Sequence, residues 1–392
     1  MNAPAQYKAT HLRAIDEIDP DAWDALLSPE DPPVLRWHWL EALEHSGTAS
    51  SARGWRPSHV VLRRGEELIG AVPLYIRAET YGEFVWSDPL EEAAARVGFP
   101  WDPRAVSTVP ATPVAGRRLL TAPHVDRMTA MRLLIRSVWQ LVEARGLASL
   151  NLHFCADDEV ALLREEGFVE RHQWQYWWCA AGDSDFDAFL LRLKGKTRRS
   201  IRRERSRLKE AGVTVRVVSG DEAPLGWFKE AGRLYGCTAA RHDDGEQLIE
   251  PGFFARIGEG PLRSLVRFSA AHREDELVGL AFEIEGQNAL FGRTWGLSED
   301  IPYLHFEAAY YANIDYCIRK GLARFEPGHG GEFKYRRGFT PTRVVSMHRF
   351  TSPRLHAAIA SWAAEEREWV AEKIDERCAS SVLTELARKA TD

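Results

Sequence analysis

The sequence predicts a mixed α/β protein built from two domains in tandem. Three observations carry that prediction. The chain has 392 residues, more than one ordinary core holds, and divides into two domains of somewhat under ~200 residues each. Short β-type apolar runs alternate with longer runs of helical period. The same order of elements occurs twice.

In the first half, residues 15–29 and 36–46 show helical spacing, separated by the breaker Pro32-Pro33. Runs at 59–63 and 68–75 flank Arg64-Gly65-Glu66 and read as a β-hairpin. Residues 126–145 form a long amphipathic helix ended by Gly146. A strand at 149–154, a short helix at 159–166 and an aromatic strand at 173–179 follow. The second half begins with a helix from Asp185 through a basic segment to Ala211, then a strand at 212–218 and a helix at 222–239. A second hairpin joins 263–272 to 277–284, and 288–293 adds a strand. A helix at 306–320, stopped by Gly321, leads to a strand at 323–326 and a glycine-rich loop. Each half thus reads helix, hairpin, long helix, strand, the order expected of the acetyltransferase-like (GNAT) fold. The boundary is placed near Gly182, giving domains over 1–181 and 182–351 and a helical appendage over 352–392.

Composition narrows the class. With 45% hydrophobic and 28% charged residues the chain has the balance of a globular protein. Met1-Asn2-Ala3-Pro4 carries no apolar signal core, and no run of about 18 apolar residues occurs. The five cysteines are scattered without a CxxC pair, so neither a metal site nor a disulfide framework is expected, and a cytoplasmic location is.

The net charge of −6 conceals a strongly basic segment, RLKGKTRRSIRRERSRLK over 192–209, with ten Lys or Arg and one acid, Glu204. Only Leu193, Ile201 and Leu208 are suited to a core. As a helix it is about 27 Å long. Like charges at this density destabilise a helix unless solvent or a polyanion neutralises them, so Lys194, Lys196, Arg198, Arg199, Arg202, Arg203 and Arg205 are candidate phosphate ligands. The phosphates belong to RNA, a nucleotide-linked substrate or coenzyme A.

The segment FEPGHGGEFKYRRGF over 325–339 places three glycines within four residues, which lets a ligand approach the backbone closely. It is not a phosphate loop of the GxxxxGK[ST] type. Lys334, Arg336 and Arg337 supply cations, Phe333 a stacking face, and His329 and Glu332 polar groups. Upstream, Arg293 and Trp295 lie in FGRTWG, and His305 and Glu307 flank a helix start, where either is placed for proton transfer. In the first half, Tyr81, Glu83, Trp86 and Thr112 lie on loops suited to line a substrate cleft.

These residues carry a resemblance. The stretch from Leu304 to Phe339, together with FGRTWG, TPVAGRRLL (112–120), VPLYIR and YGEFVW (72–77, 81–86) and KTRRSIRRER (196–205), resembles the FemAB-like tandem-GNAT family, which is related to the Fem aminoacyl-tRNA-dependent transferases. The resemblance implies two GNAT-like domains with a cleft for a tRNA 3′ end. Phe333-Lys334 and Gly338-Phe339 match the aromatic-lysine and Gly-aromatic steps near the incoming tRNA in Fem-type enzymes. Phe333 stands where the FemAB-like form has histidine, closer to the true Fem pattern. The aromatic features of the first half are reduced to Val85-Trp86-Ser87 and 99–103, which favours a specialised acceptor.

The expected activity is therefore an aminoacyl-tRNA-dependent acyl transfer that forms an amide bond on a small amine, in a specialised-metabolite or cell-wall-type pathway. No cofactor or metal is expected; the co-substrate is aminoacyl-tRNA, held by its 3′ end and acceptor stem. Lys334 and Phe333 position the terminus, Arg293 or backbone N–H groups stabilise the oxyanion, and Glu307 or His305 takes the proton. Glu332, His329, Trp295, Tyr81, Glu83, Trp86 and Thr112 contact substrate, and Arg337 joins the basic helix on the RNA. The loop of form [RQ]xxGx[GA] that holds the pyrophosphate of acetyl-CoA is not found in place, but an acyl-CoA-dependent N-acyltransferase remains one alternative and a non-catalytic tRNA- or precursor-binding protein another.

Overall fold

The computed structural model describes residues 7–241 and 247–385. Met1–Pro4 and residues 386–392 of the expected appendage lie outside the described residues. The chain forms two compact units. One runs to Gln173 and takes back Arg343–Ala371; the other is Trp174–Thr342 with the chain from Glu372. The division thus falls nine residues before Gly182, and about half of the segment assigned to an appendage, as far as Ala371, belongs to the first unit.

In the first unit, Val60–Arg64 and Glu67–Val72 pair antiparallel as the expected hairpin. They lie between Tyr7–His11 and Leu120–Thr121 in a four-stranded sheet. The hairpin's second run was expected to continue to Tyr75. Pro73 ends it instead, because it has no N–H for the ladder. Leu74–Arg77 joins a second sheet in the order Trp55–Pro57, Leu74–Arg77, Arg104–Ser107, Ser149–Cys155, Thr340–Phe350. Arg104–Ser107 and Ser149–Cys155 are parallel, which requires a crossover. The helix Arg127–Ala144 lies in that crossover. Its Asp126 cap accepts from the Thr129 N–H at 2.8 Å. Its buried Met131, Leu134, Ile135, Val138 and Val142 recur at helical spacing and join one apolar face of the strands in a single core.

The returning chain brings the strand Thr340–Phe350 and the helix Pro353–Ser380, whose Leu355, Ile359, Ala363 and Val370 are buried. Glu366 of this helix meets Arg171 in a buried two-pronged pair, Nε to Oε2 at 2.9 Å and Nη2 to Oε1 at 2.6 Å.

The second unit repeats the plan. Val213–Ser219, Val266–Arg273, Glu276–Glu285 and Ala289–Leu297 are successive antiparallel neighbours. Ala289–Leu297 then pairs parallel with Arg324–Glu326. The intervening helix, expected over 306–320, starts at Leu304, passes through one π-turn at Glu307–Tyr311 and continues as Ala312–Lys320. A π-turn displaces backbone carbonyls from their usual donors. Here the Asn313 Nδ2 donates to the Ala308 carbonyl at 3.0 Å and to Glu283 Oε1 at 2.8 Å. Burial raises the Glu283 carboxyl to about 8. The helix expected from Asp185 to Ala211 is two helices, Phe186–Leu191 and Gly195–Glu210. Between them, the Lys194 N–H donates to Val382 O and the Arg192 carbonyl accepts from Thr384 N, so the backbone there forms an isolated bridge between Leu193 and Leu383 instead of continuing the helix. Among the described residues no helix is long and apolar enough to cross a membrane.

Two outcomes test this account. The folded-state pKa of Glu283, about 8, lies above its ordinary value of 4.5, so the folded state holds the proton more tightly. Its contribution is complete below the ordinary value and is lost as pH rises through 8. Glu283→Gln should therefore flatten the decline in stability between pH 5 and 9 seen in urea unfolding, with a gain of about 1–3 kcal/mol at the alkaline end. Glu366→Ala leaves the Arg171 guanidinium buried without its carboxylate and should cost about 3–5 kcal/mol in the same assay.

Candidate functional site

The basic helix Gly195–Glu210 buries Ile201, Glu204 and Leu208, which lie on one helical face. Leu193 is also buried, so all three apolar residues of the segment reach the core. Lys194, Lys196, Arg199, Arg202 and Arg203 are exposed, and Arg198 and Arg205 half-buried. Arg202 pairs with Asp187 at 2.8 Å on the surface.

The segment's single acid is the anchor of the site. Glu204 Oε2 accepts from the Tyr311 hydroxyl at 2.5 Å. Arg337 Nε donates to the same hydroxyl at 2.8 Å, its Nη2 lies 3.4 Å from both Glu204 oxygens, and its Nη1 donates to the Phe333 carbonyl at 3.1 Å. The guanidinium carbon sits 3.2 Å from the centre of the Phe306 ring. Arg337, expected as an RNA ligand, is thus buried and its donors are held inside the protein.

Above this network the basic helix and the 325–339 segment face one cleft of about 810 Å³. Lys196, Arg199 and Arg203 come from the helix, and Phe333 and Arg336 from the segment; Tyr303 and Phe306 complete the aromatic wall. Phe333 is 54% exposed, and its ring centre lies 5.8 Å from that of Phe306. A large ring standing in solvent beside four cations is suited to stack a planar group whose flanking charges are negative. Arg336, read from the sequence as one of the segment's cations, lines the cleft; Tyr303 was not singled out in the sequence. Tyr303 holds φ 70°, unusual for a bulky residue, and nothing in its sequence neighbourhood signals that.

Lys334 lies beneath the glycine-rich loop. Gly328, Gly330 and Gly331 all have positive φ, between 74° and 89°, a curl that L-residues resist. The curled carbonyls of Gly328 and His329 accept from Lys334 Nζ at 2.6 and 3.0 Å. Burial lowers the Lys334 ammonium to about 7. The amine thus bonds the loop backbone, and the cleft is lined by its neighbours Phe333 and Arg336. His329 and Glu332 are exposed.

Of the other expected chemical groups, Arg293 and Trp295 lie on the strand Ala289–Leu297, and His305 and Glu307 at the start of the helix. Both Glu307 oxygens accept from Arg205, at 3.0 and 2.9 Å, and burial, opposed by Arg205, raises its pKa. His305 stacks on Trp295 with ring centres 5.8 Å apart. Arg293 is half-buried, and its pKa is lowered to about 10 by burial. None of these four lines the cleft.

Tyr81, Glu83, Trp86 and Thr112 belong to the first unit. Glu83 is buried between Arg77 and Arg104, accepting at 3.0 and 2.6 Å. Arg77 also donates to the Tyr81 carbonyl at 2.7 Å. Thr112 is buried and donates to the Pro110 carbonyl at 2.9 Å. Tyr81 and Trp86 are exposed. Among the described residues no group of three or more His, Cys, Asp or Glu is placed to hold a metal ion.

Comparison with solved structures agrees with this architecture. The crystal structure of FemX is similar over 90% of this chain and 100% of its own, with TM-score 0.52 and 12% identity. The C-terminal domain of a putative lysylphosphatidylglycerol synthetase from Agrobacterium fabrum is similar over 89% of this chain and 96% of its own, with TM-score 0.51 and 12% identity. At such identity the likeness is one of fold, a mixed α/β tandem-GNAT arrangement ending in a helix. No curated protein matches the chain. Residues 14–383 match the family described as peptidoglycan biosynthesis/recognition, and the chain belongs to this FemAB-like family.

Proposed function

We propose that the protein is an aminoacyl-tRNA-dependent aminoacyltransferase that forms an amide bond on a small amine, in a specialised-metabolite or cell-wall-type pathway. The observation that carries this reading is the second-unit cleft, where Lys196, Arg199, Arg203 and Arg336 surround the exposed Phe333 ring. A tRNA 3′ end offers what that surface takes: an unpaired base to stack and successive phosphates to neutralise. The helix continues the charge beyond the cleft through Arg202, Arg207 and Lys209, in keeping with an acceptor stem and more than one pyrophosphate requires. FemX and the synthetase domain lend the fold, and the family lends its cell-wall context.

The chemistry asked of the protein is modest, because an aminoacyl ester is already activated. The acceptor amine attacks the ester carbonyl carbon. The C–N bond forms as the C–O bond to the ribose breaks, and the amine's proton passes to the departing ribose oxygen. Glu307 is occupied by Arg205, which favours a route in which substrate groups carry the proton. Lys334 acts by holding the glycine-rich loop, and so sets the position of the adjacent Phe333.

Binding of charged tRNA measured against salt should give a slope of about 0.9 log units per phosphate neutralised. The double variant Arg199→Ala/Arg203→Ala should flatten that slope by about two phosphates. Absence of RNA binding at low salt, with saturable binding of coenzyme A, would replace the donor with acyl-CoA; tight tRNA binding without transfer to any amine would make the protein a binder. Lys334→Ala releases the loop and should slow transfer roughly 100-fold, since small misplacements cost that much. Near wild-type turnover would remove Lys334 from the mechanism.

A further inference from the structure

A second cleft, of about 660 Å³, is lined entirely by residues of the first unit. It shares no residue with the cleft described above. Its polar lining is Arg164, Glu170, His172, Arg343, His356 and Arg367, with the exposed Glu368 beside them.

Four stretches of chain supply these groups. Arg164 lies in the last turn of the helix Asp157–Glu165. Glu170 and His172 alternate along the strand Val169–Cys179 and so share a face, whereas Arg171 between them turns to Glu366. Arg343 comes from the strand Thr340–Phe350. On the helix Pro353–Ser380 the lining residues His356, Ala360, Arg367 and Ala371 each stand one position after a buried residue: Leu355, Ile359, Glu366 and Val370. They therefore run along the flank of the buried face.

Glu170 organises the cations. Its Oε2 accepts from Arg164 Nε at 2.6 Å, its Oε1 lies 2.7 Å from His172 Nε2, and its backbone carbonyl accepts from Arg367 Nη1 at 2.8 Å. Against burial, Arg164 and His172 hold the carboxyl below its ordinary value. It is therefore ionised, and His172 Nε2 carries the proton between them. Both acid oxygens are engaged, but the guanidiniums retain donors. Among the described residues, Arg164 uses only its Nε and Arg367 only its Nη1. The partner of Arg343 is Asp157 at 3.6 Å, beyond hydrogen-bond reach.

Charge and shape indicate the ligand. Three arginines against Glu170 and Glu368 leave one positive charge. A second proton on His172 makes two, matching a phosphate dianion. Burial, opposed by Glu170 and reinforced by Arg343 and Arg367, lowers the His172 pKa; an anion placed among those arginines offsets their effect and favours the imidazolium. One guanidinium fork satisfies a carboxylate, whereas a phosphate group presents three terminal oxygens to donors from several sides. A nucleic-acid backbone suits the cleft less well. Its diesters carry one charge each, and the one phenyl ring of the lining, Phe168, is buried and gives no stacking face. The volume and the apolar wall of Phe168, Val169 and Ala360 suit the body of a small molecule.

We propose that this cleft binds a small-molecule phosphate ester through Arg164, Arg343 and Arg367. The His172 ring takes up a proton as the dianion enters. The site uses none of the residues assigned to acyl transfer and stands or falls apart from that reading.

The test titrates inorganic phosphate and glycerol phosphate, at constant ionic strength, into the full chain with ring-15N-labelled histidine. His172→Gln assigns the signals. The expected result is a saturable move of the His172 ring nitrogens towards the imidazolium, at lower concentrations of the ester than of the free ion. The same response is expected in Arg199→Ala/Arg203→Ala, which weakens the second-unit cleft. Arg343→Ala, at an exposed position, should weaken binding roughly tenfold. His172 signals unmoved by either phosphate in the wild type, an equal response to acetate, tighter binding of the free ion than of the ester, or a response abolished by Arg199→Ala/Arg203→Ala would each overturn the proposal. The wild-type spectra decide even if Arg343→Ala does not fold.

Discussion

The second unit's cleft depends on one guanidinium. Arg337 stacks on Phe306, donates to the Tyr311 hydroxyl and the Phe333 carbonyl, and reaches both oxygens of Glu204. It thereby ties three separate stretches together: the basic helix, the start of the π-turn helix and the segment after the glycine-rich loop. A buried cation is tolerated only when its donors are satisfied and its charge is balanced. Glu204 supplies that balance, the one acid buried in a helix rich in cations. The exposed lysines and arginines are free to face the cleft because the interior charge is settled beneath them.

The glycine-rich loop and Lys334 form a second constraint. Three left-handed glycines turn carbonyls inward, and a lysine amine closes the turn from below. Gly338 serves the packing in a different way: a Cβ there would come within 2.8 Å of Leu193. The break between the two helices, at Leu193, thus packs directly against the segment that carries Phe333. Loop, short helix and basic helix are one piece of construction, and a change at any of them moves the aromatic wall.

Both units use a hairpin, a helix and a parallel strand pair, yet they load it differently. The parallel pair of the second unit, Ala289–Leu297 with Arg324–Glu326, leads directly into the glycine-rich loop. That of the first unit opens at a bulge over buried histidines.

Much of the fold was legible in the residues. The hairpins, the long helix Arg127–Ala144 with its Asp126 cap, and the strands before each loop follow from local period and turn chemistry, which neighbouring residues alone determine. The basic helix and Phe333 were visible as charge density and as a family pattern. Local pattern did not reveal where the chain returns: the strand from Arg343 and most of the last helix belong to the first unit, a matter of contacts between residues far apart in sequence. Nor did it distinguish Arg336 from Arg337, adjacent cations on the cleft of which one is exposed and the other buried. The charge of a residue is written in the sequence. Whether that charge meets water, a ligand or a buried carboxylate is decided by tertiary packing, because only packing sets desolvation and brings Glu204 and Tyr311 within reach.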